Sequence, residues 1–67
     1  MKILHLIFSL NIGGAESMLV DIANYQAYNN DVYVYIINSE YNQILLNSFN
    51  SKVNIRLFNR KVNSKNL

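Results

Sequence analysis

Two adjacent glycines, Gly13 and Gly14, stand between an apolar run and a stretch of helical periodicity, and they mark the place where this chain's backbone could do chemistry. Paired glycines relax the φ/ψ limits and suit a tight turn from strand to helix. They also let a backbone come close to a phosphate, where the first free N–H groups and the dipole of the following helix attract negative charge. A diphosphate is therefore the natural guest of Gly13, Gly14 and Ala15, although a glycine pair reads equally well as the tightest available turn. Glu16 falls in the first helical turn, where a carboxylate favours the dipole and the cap, and it is read as that and not as a catalyst.

Other chemistries are thinly supplied. A dinucleotide fingerprint needs glycines at spacings of two and three, and here only an adjacent pair is present; the segment after the second strand reads Asn38-Ser39, with Glu40 late for a ribose diol, so NAD and FAD are disfavoured. The chain has no cysteine, which removes disulfides, thiolate metal sites and a cysteine nucleophile together. Its carboxylates Glu16, Asp21, Asp31 and Glu40 and its single His5 are scattered, with no pair at metal-ligand or acid/base spacing, so neither a metal nor a cofactor is expected. His5 sits inside an apolar run and is read as a satisfied core histidine, while Tyr33 and Tyr35 are read as packing groups.

The elements that position the glycine turn follow from hydrophobic patterning. Residues 3–8 are nearly all apolar and suggest a strand covered on both faces. A helix is expected from Ala15 to Tyr28, with Ala15, Met18, Leu19, Ile22, Ala23 and Gln26 inward. Asn29-Asn30-Asp31 makes a turn, and Val32 to Ile37, β-branched and aromatic, gives the strongest strand signal. A short helix over Gln43 to Phe49 turns Ile44, Leu45 and Phe49 inward, and Val53 to Phe58 begins with the alternation of a strand near a sheet edge. The order β-α-β-α-β predicts an α/β fold, a partial Rossmann-like unit with a parallel sheet ordered 3-2-1. Asn63 or Ser64 could cap a further helix starting at Lys65, so the sequence reads as ending in mid-architecture.

Three stretches together, Lys2-Ile3-Leu4-His5-Leu6-Ile7, Ser9-Leu10-Asn11-Ile12-Gly13-Gly14-Ala15-Glu16 and Leu19-Val20-Asp21-Ile22-Ala23-Asn24, resemble the N-terminus of family 4 glycosyltransferases of the GT-B fold. The likeness runs on more loosely through Val32–Ile37 and Tyr41-Asn42 to Asn59-Arg60-Lys61. The resemblance implies that residues 1–67 are an incomplete N-terminal Rossmann-like domain, that a C-terminal donor-binding domain with its paired-glutamate motif is missing, and that Gly13, Gly14 and Ala15 face the donor diphosphate across an interdomain cleft. It further implies a parent enzyme that moves a sugar from a nucleotide-diphosphate sugar to a glycan or lipid-linked acceptor, as in bacterial surface polysaccharide assembly. The 67 residues alone are expected to be inactive and to self-associate, since one wall of a cleft cannot hold a donor in line and an unpaired apolar strand edge recruits other chains.

Size and charge bound the alternatives. A chain of 67 residues buries only about 60% of the surface its unfolded form exposes, so it holds one domain at most. With 51% hydrophobic and 15% charged residues, it is neither a disordered tail nor a supercharged binder. Residues 1–50 carry Lys2 against four acids, whereas Lys52, Arg56, Arg60, Lys61 and Lys65 follow with no acid among them. That basic segment reads as a solvated surface, with anionic lipid or phosphate as its alternative partners, and nucleic acid is disfavoured because the aromatics, Phe58 apart, are not interleaved with it as stacking platforms would be. No apolar run approaches the roughly 20 residues that span a bilayer, and the apolar N-terminus imitates a signal peptide only until His5 interrupts it. A cytoplasmic setting, with peripheral contact at the inner face of the membrane, fits these features. Two other functions stay open: a non-catalytic truncated product acting as an interaction module, and a small nucleotide-binding α/β domain unrelated to sugar transfer.

Overall fold

Three strands and two helices alternate in the computed structural model, which describes residues 1–11 and 13–60. They are β1 (Lys2–Ile7), α1 (Gly14–Gln26), β2 (Asp31–Asn38), α2 (Gln43–Asn47) and β3 (Val53–Arg60). The strands form one parallel sheet with β2 in the centre, the arrangement that alternating strand and helix signals imply. The cap expected at Asn63 or Ser64 lies outside the described residues.

Both crossovers step in the same direction, and right-handed connections of that kind put both helices over one face of the sheet. On that face Val32, Val34 and Ile36 of β2 are fully buried, with Ile3 and Ile7 of β1 and Val53, Ile55 and Leu57 of β3 beside them. Leu10, Val20, Ala23, Ala27 and Phe49 close the core from above.

The bare second face corrects the reading of the first strand as doubly covered. Burial alternates along β1, and Leu4, Leu6 and Phe8 are 55%, 60% and 65% exposed. A run of apolar residues reports suitability for burial; which face is covered depends on where the crossovers pass.

Two further expectations shift. The buried line of α1 runs through Val20, Ala23 and Ala27, because the small alanines let the helix settle close to the sheet, while Met18 and Ile22 stand exposed and Ala15 is at the surface. In α2, Leu45 and Leu46 pack inward and Ile44, in the first turn, points to solvent. Both helices stop two residues early, with Tyr28 N–H donating to Tyr25 O and Phe49 N–H to Leu46 O in tightened final turns.

Asparagines join the pieces. Asn24 of α1 donates through Nδ2 to Ser48 O at 2.9 Å and accepts at Oδ1 from Asn50 N–H at 2.6 Å, pinning the segment after α2 to the first helix. Asn42 caps α2 by accepting from the N–H groups of Ile44 and Leu45 at 2.9 and 3.1 Å.

Candidate functional site at the carboxyl ends of the strands

The loop after β1 delivers the chain to Gly13, which caps α1 with φ −174° and ψ 167°. This extended conformation is open to any residue, and no glycine has a positive φ, so the turn does not draw on the conformational freedom that the glycine pair suggested. Packing does not demand glycine either. A Cβ on Gly14 would meet nothing within 4 Å, and one on Gly13 would meet only Glu16 Oε1, the far end of a flexible side chain, at 2.9 Å. What the pair leaves is room in front of the first turn of α1.

That turn has the polarity to receive an anion. Gly13 offers no capping side chain, and the helix is secured from its backbone, with Ser17 N–H donating to Gly13 O at 3.0 Å. The Glu16 carboxylate is already there, in the third helical position, where it complements the dipole. Any anion bound at this turn would have to displace it.

Beside the turn lies an open cleft of 530 Å³ lined by Ile7, Phe8, Ser9, Ala15, Glu16 and Leu19. It joins the carboxyl end of β1 to the start of α1. Apolar walls with a few polar groups suit a ligand that carries both an apolar or ring-shaped body and a charged end.

A polar crest continues from this cleft across the sheet. Asn38, the last residue of β2 and a buried polar side chain, donates to Ser9 Oγ at 3.5 Å and accepts at Oδ1 from Arg60 Nε at 3.1 Å. Ser9 Oγ in turn donates to Glu40 Oε1 at 3.3 Å. The chain is held together beneath by Asn38 N–H donating to Phe8 O at 2.8 Å, Ser39 N–H to Arg60 O at 2.9 Å and Leu10 N–H to Glu40 O at 3.0 Å.

Arg60 reaches this crest through a bulge. Leu57 pairs with Ile36 but Arg60 pairs with Asn38, so β3 spends three residues where β2 spends two. Asn59 takes up the difference with φ 54°, a left-handed conformation that asparagine tolerates better than most residues. In the sequence pattern Asn38 and Glu40 argue against a ribose site, Glu40 is also one of four scattered carboxylates, and Arg60 falls in a dispersed basic segment and in the loose likeness over Asn59-Arg60-Lys61. Asn59, of a residue type enriched at positive φ, is the local signal that could have pointed to a bulge.

The remaining candidates fall elsewhere. His5 faces the helices, half-buried, and its Nε2 donates to Gln26 Oε1 at 2.8 Å, as a satisfied core histidine would. Tyr33 and Tyr35 lie on the bare face, where the Tyr35 ring meets Phe58 at 5.5 Å between centroids and 56° between planes. Among the described residues no three His, Asp or Glu side chains converge as metal ligands, and no helix is long and apolar enough to cross a membrane.

Fold and site together define a parallel β-α-β-α-β unit with its cleft and polar crest at the carboxyl ends of the strands, the edge where open α/β sheets take their ligands. No protein-family model matches the chain, and neither a curated protein nor a solved structure matches it.

Proposed function

We propose that the chain is the opening part of the N-terminal domain of a family 4 glycosyltransferase of the GT-B fold, an enzyme that passes a sugar from a nucleotide-diphosphate donor to a glycan or lipid-linked acceptor in bacterial surface polysaccharide assembly. One observation carries the reading beyond the motif itself. Gly13 and Gly14 are required neither by backbone conformation nor by packing, so the space before α1 is what their lack of side chains provides. A diphosphate approaching that space meets the first turn and the positive end of a 13-residue helix. On this reading Gly13, Gly14 and Ala15 face the donor and Ile7, Phe8 and Leu19 form the apolar wall beside it. On this reading the enzyme works in the cytoplasm or in peripheral contact with the inner face of the membrane.

The chemistry assigned to these residues is positioning. The Gly-Gly turn lies against the leaving diphosphate, whose departure takes the bonding pair from the anomeric carbon as the acceptor's hydroxyl oxygen bonds to it. The acceptor is held mainly on this domain, and the groups that hold the donor's sugar and nucleotide come mainly from the opposite wall of the cleft. Residues 1–67 by themselves therefore hold a donor from one side only, and no transfer is expected of them.

Gly13→Val in the full-length enzyme tests the assignment. The extended φ accepts valine and the Glu16 side chain can swing away, so the fold should persist while the Cβ branch blocks the phosphate. Transfer rate is expected to fall by at least about tenfold, the order of one lost charge-assisted contact. Unchanged turnover in a folded variant would show the loop to be a turn and nothing more.

A further inference from the structure

The bulge in β3 has a result that an unbroken strand would not give. Val53, Ile55 and Leu57 point to the helices and Asn54, Arg56 and Phe58 to the bare face, so continued alternation would send Arg60 to the bare face too. The extra residue at Asn59 reverses the parity, and Arg60 comes to lie opposite Asn38 on the helix side, at the carboxyl ends of the strands. A bulge that re-aims one side chain at a strand end is a recurrent device next to ligand sites.

The way Arg60 is held matters as much as where it lies. Its recorded partner is the neutral amide of Asn38, which takes Nε and is itself buried and braced by Ser9. The guanidinium is thus oriented by one edge without its charge being neutralised by that contact, while the residue as a whole is exposed. The edge formed by the two Nη groups is the planar fork that takes two oxygens of a phosphate or carboxylate at once.

Distance separates this group from the glycine turn. Arg60 stands on β3 and the turn follows β1, two strand spacings away, or about 10 Å across the sheet. One phosphate group cannot bridge that interval. We propose that Arg60, oriented by Asn38 and delivered by the Asn59 bulge, is the anchor of a second oxyanion subsite on the strand crest, one that takes a phosphate or carboxylate group of the acceptor substrate. The inference rests on the transferase reading for the identity of that substrate; the anion subsite itself stands on the geometry alone.

Nitrogen NMR on the 67-residue chain separates the two. Inorganic pyrophosphate and malonate are titrated in parallel, each against sodium chloride at equal ionic strength, with the Arg60 Nε and Asn38 Nδ2 signals read beside the amides of residues 13–16. Saturable movement at Arg60 and Asn38 with either anion is expected, and the stronger of the two identifies phosphate or carboxylate. Arg60→Gln should weaken the response at Asn38 Nδ2 roughly tenfold, as the loss of one charged bidentate contact does. Asn59→Gly should keep it and Asn59→Val should lose it, because glycine accepts a positive φ and a β-branched residue resists one. Movement confined to residues 13–16 would overturn the Arg60 subsite and leave the glycine assignment standing, and movement at Arg60 alone would do the reverse. A chloride-like response at Arg60 to both anions, or an Arg60→Gln chain that responds like the parent, would reduce Arg60 to a latch between β2 and β3.

Discussion

The two faces of the sheet are built from alternate residues of the same strands, yet only one is a core. Val34 is fully buried while its neighbours Tyr33 and Tyr35 are half-buried on the other side, and Ile3 and Ile7 pack under α1 while Leu4 and Leu6 face outward. The apolar content of the two faces is similar on β1, so hydrophobicity does not decide between them. Crossover direction does. The bare face is not left wholly unpacked, since Tyr35, Phe58 and Arg56 gather there, with the Arg56 guanidinium 5.1 Å from the centre of the Phe58 ring. That contact shields part of the face and keeps a charge on it.

Placing a carboxylate on each face gives the largest contrast. Val34→Asp would bury an unpaired charge in the centre of the only core among the described residues, and loss of the cooperative thermal transition by circular dichroism is the expected result. The same change at Leu6 should leave that transition in place. If both variants melt alike, the face regarded as bare is covered in solution.

Association should respond in the opposite sense. The outer edge of β1 has no partner strand among the described residues, and Leu4, Leu6 and Phe8 lie beside it. We expect the parent chain to sediment as oligomers and Leu6→Lys to shift the distribution by at least about tenfold in concentration toward monomer, since a charged edge opposes strand addition. Parent chain sedimenting as monomer throughout would remove the edge as a site of assembly.

The smallest effect is expected from thinning the cover of the inner face. Asn42→Ala removes the acceptor that holds the first turn of α2, and about 1 kcal/mol of stability should go with it in a denaturant titration. A change indistinguishable from zero would mean that Leu45 and Leu46 hold α2 through packing alone.

Periodicity made the architecture legible. Val32 to Ile37 announced the central strand, and Val53, Ile55 and Leu57 were placed on the correct face because polar residues separate them. β1 gave no such help, as Leu4 and Leu6 are as apolar as Ile3 and Ile7. The glycine turn was located from sequence, but its extended φ was not foreseen, since a Gly-Gly pair is compatible with many turns. The polar crest was out of reach for a different reason: it depends on one extra residue in β3, and parity along a strand is lost to sequence reasoning once a bulge intervenes.

β2 is the only described strand with a ladder on each side, while β1 hangs from it by a single ladder of six residues. Separation of β1 therefore disturbs half of the pairing that separation of β2 would, and β1 should open locally more often than the chain unfolds as a whole. Its carboxyl end leads into the cleft and the glycine turn, so the site belongs to the more easily opened part of the molecule. A ligand bound at that end stabilises the closed state by mass action, and binding and the completion of folding become a single equilibrium there.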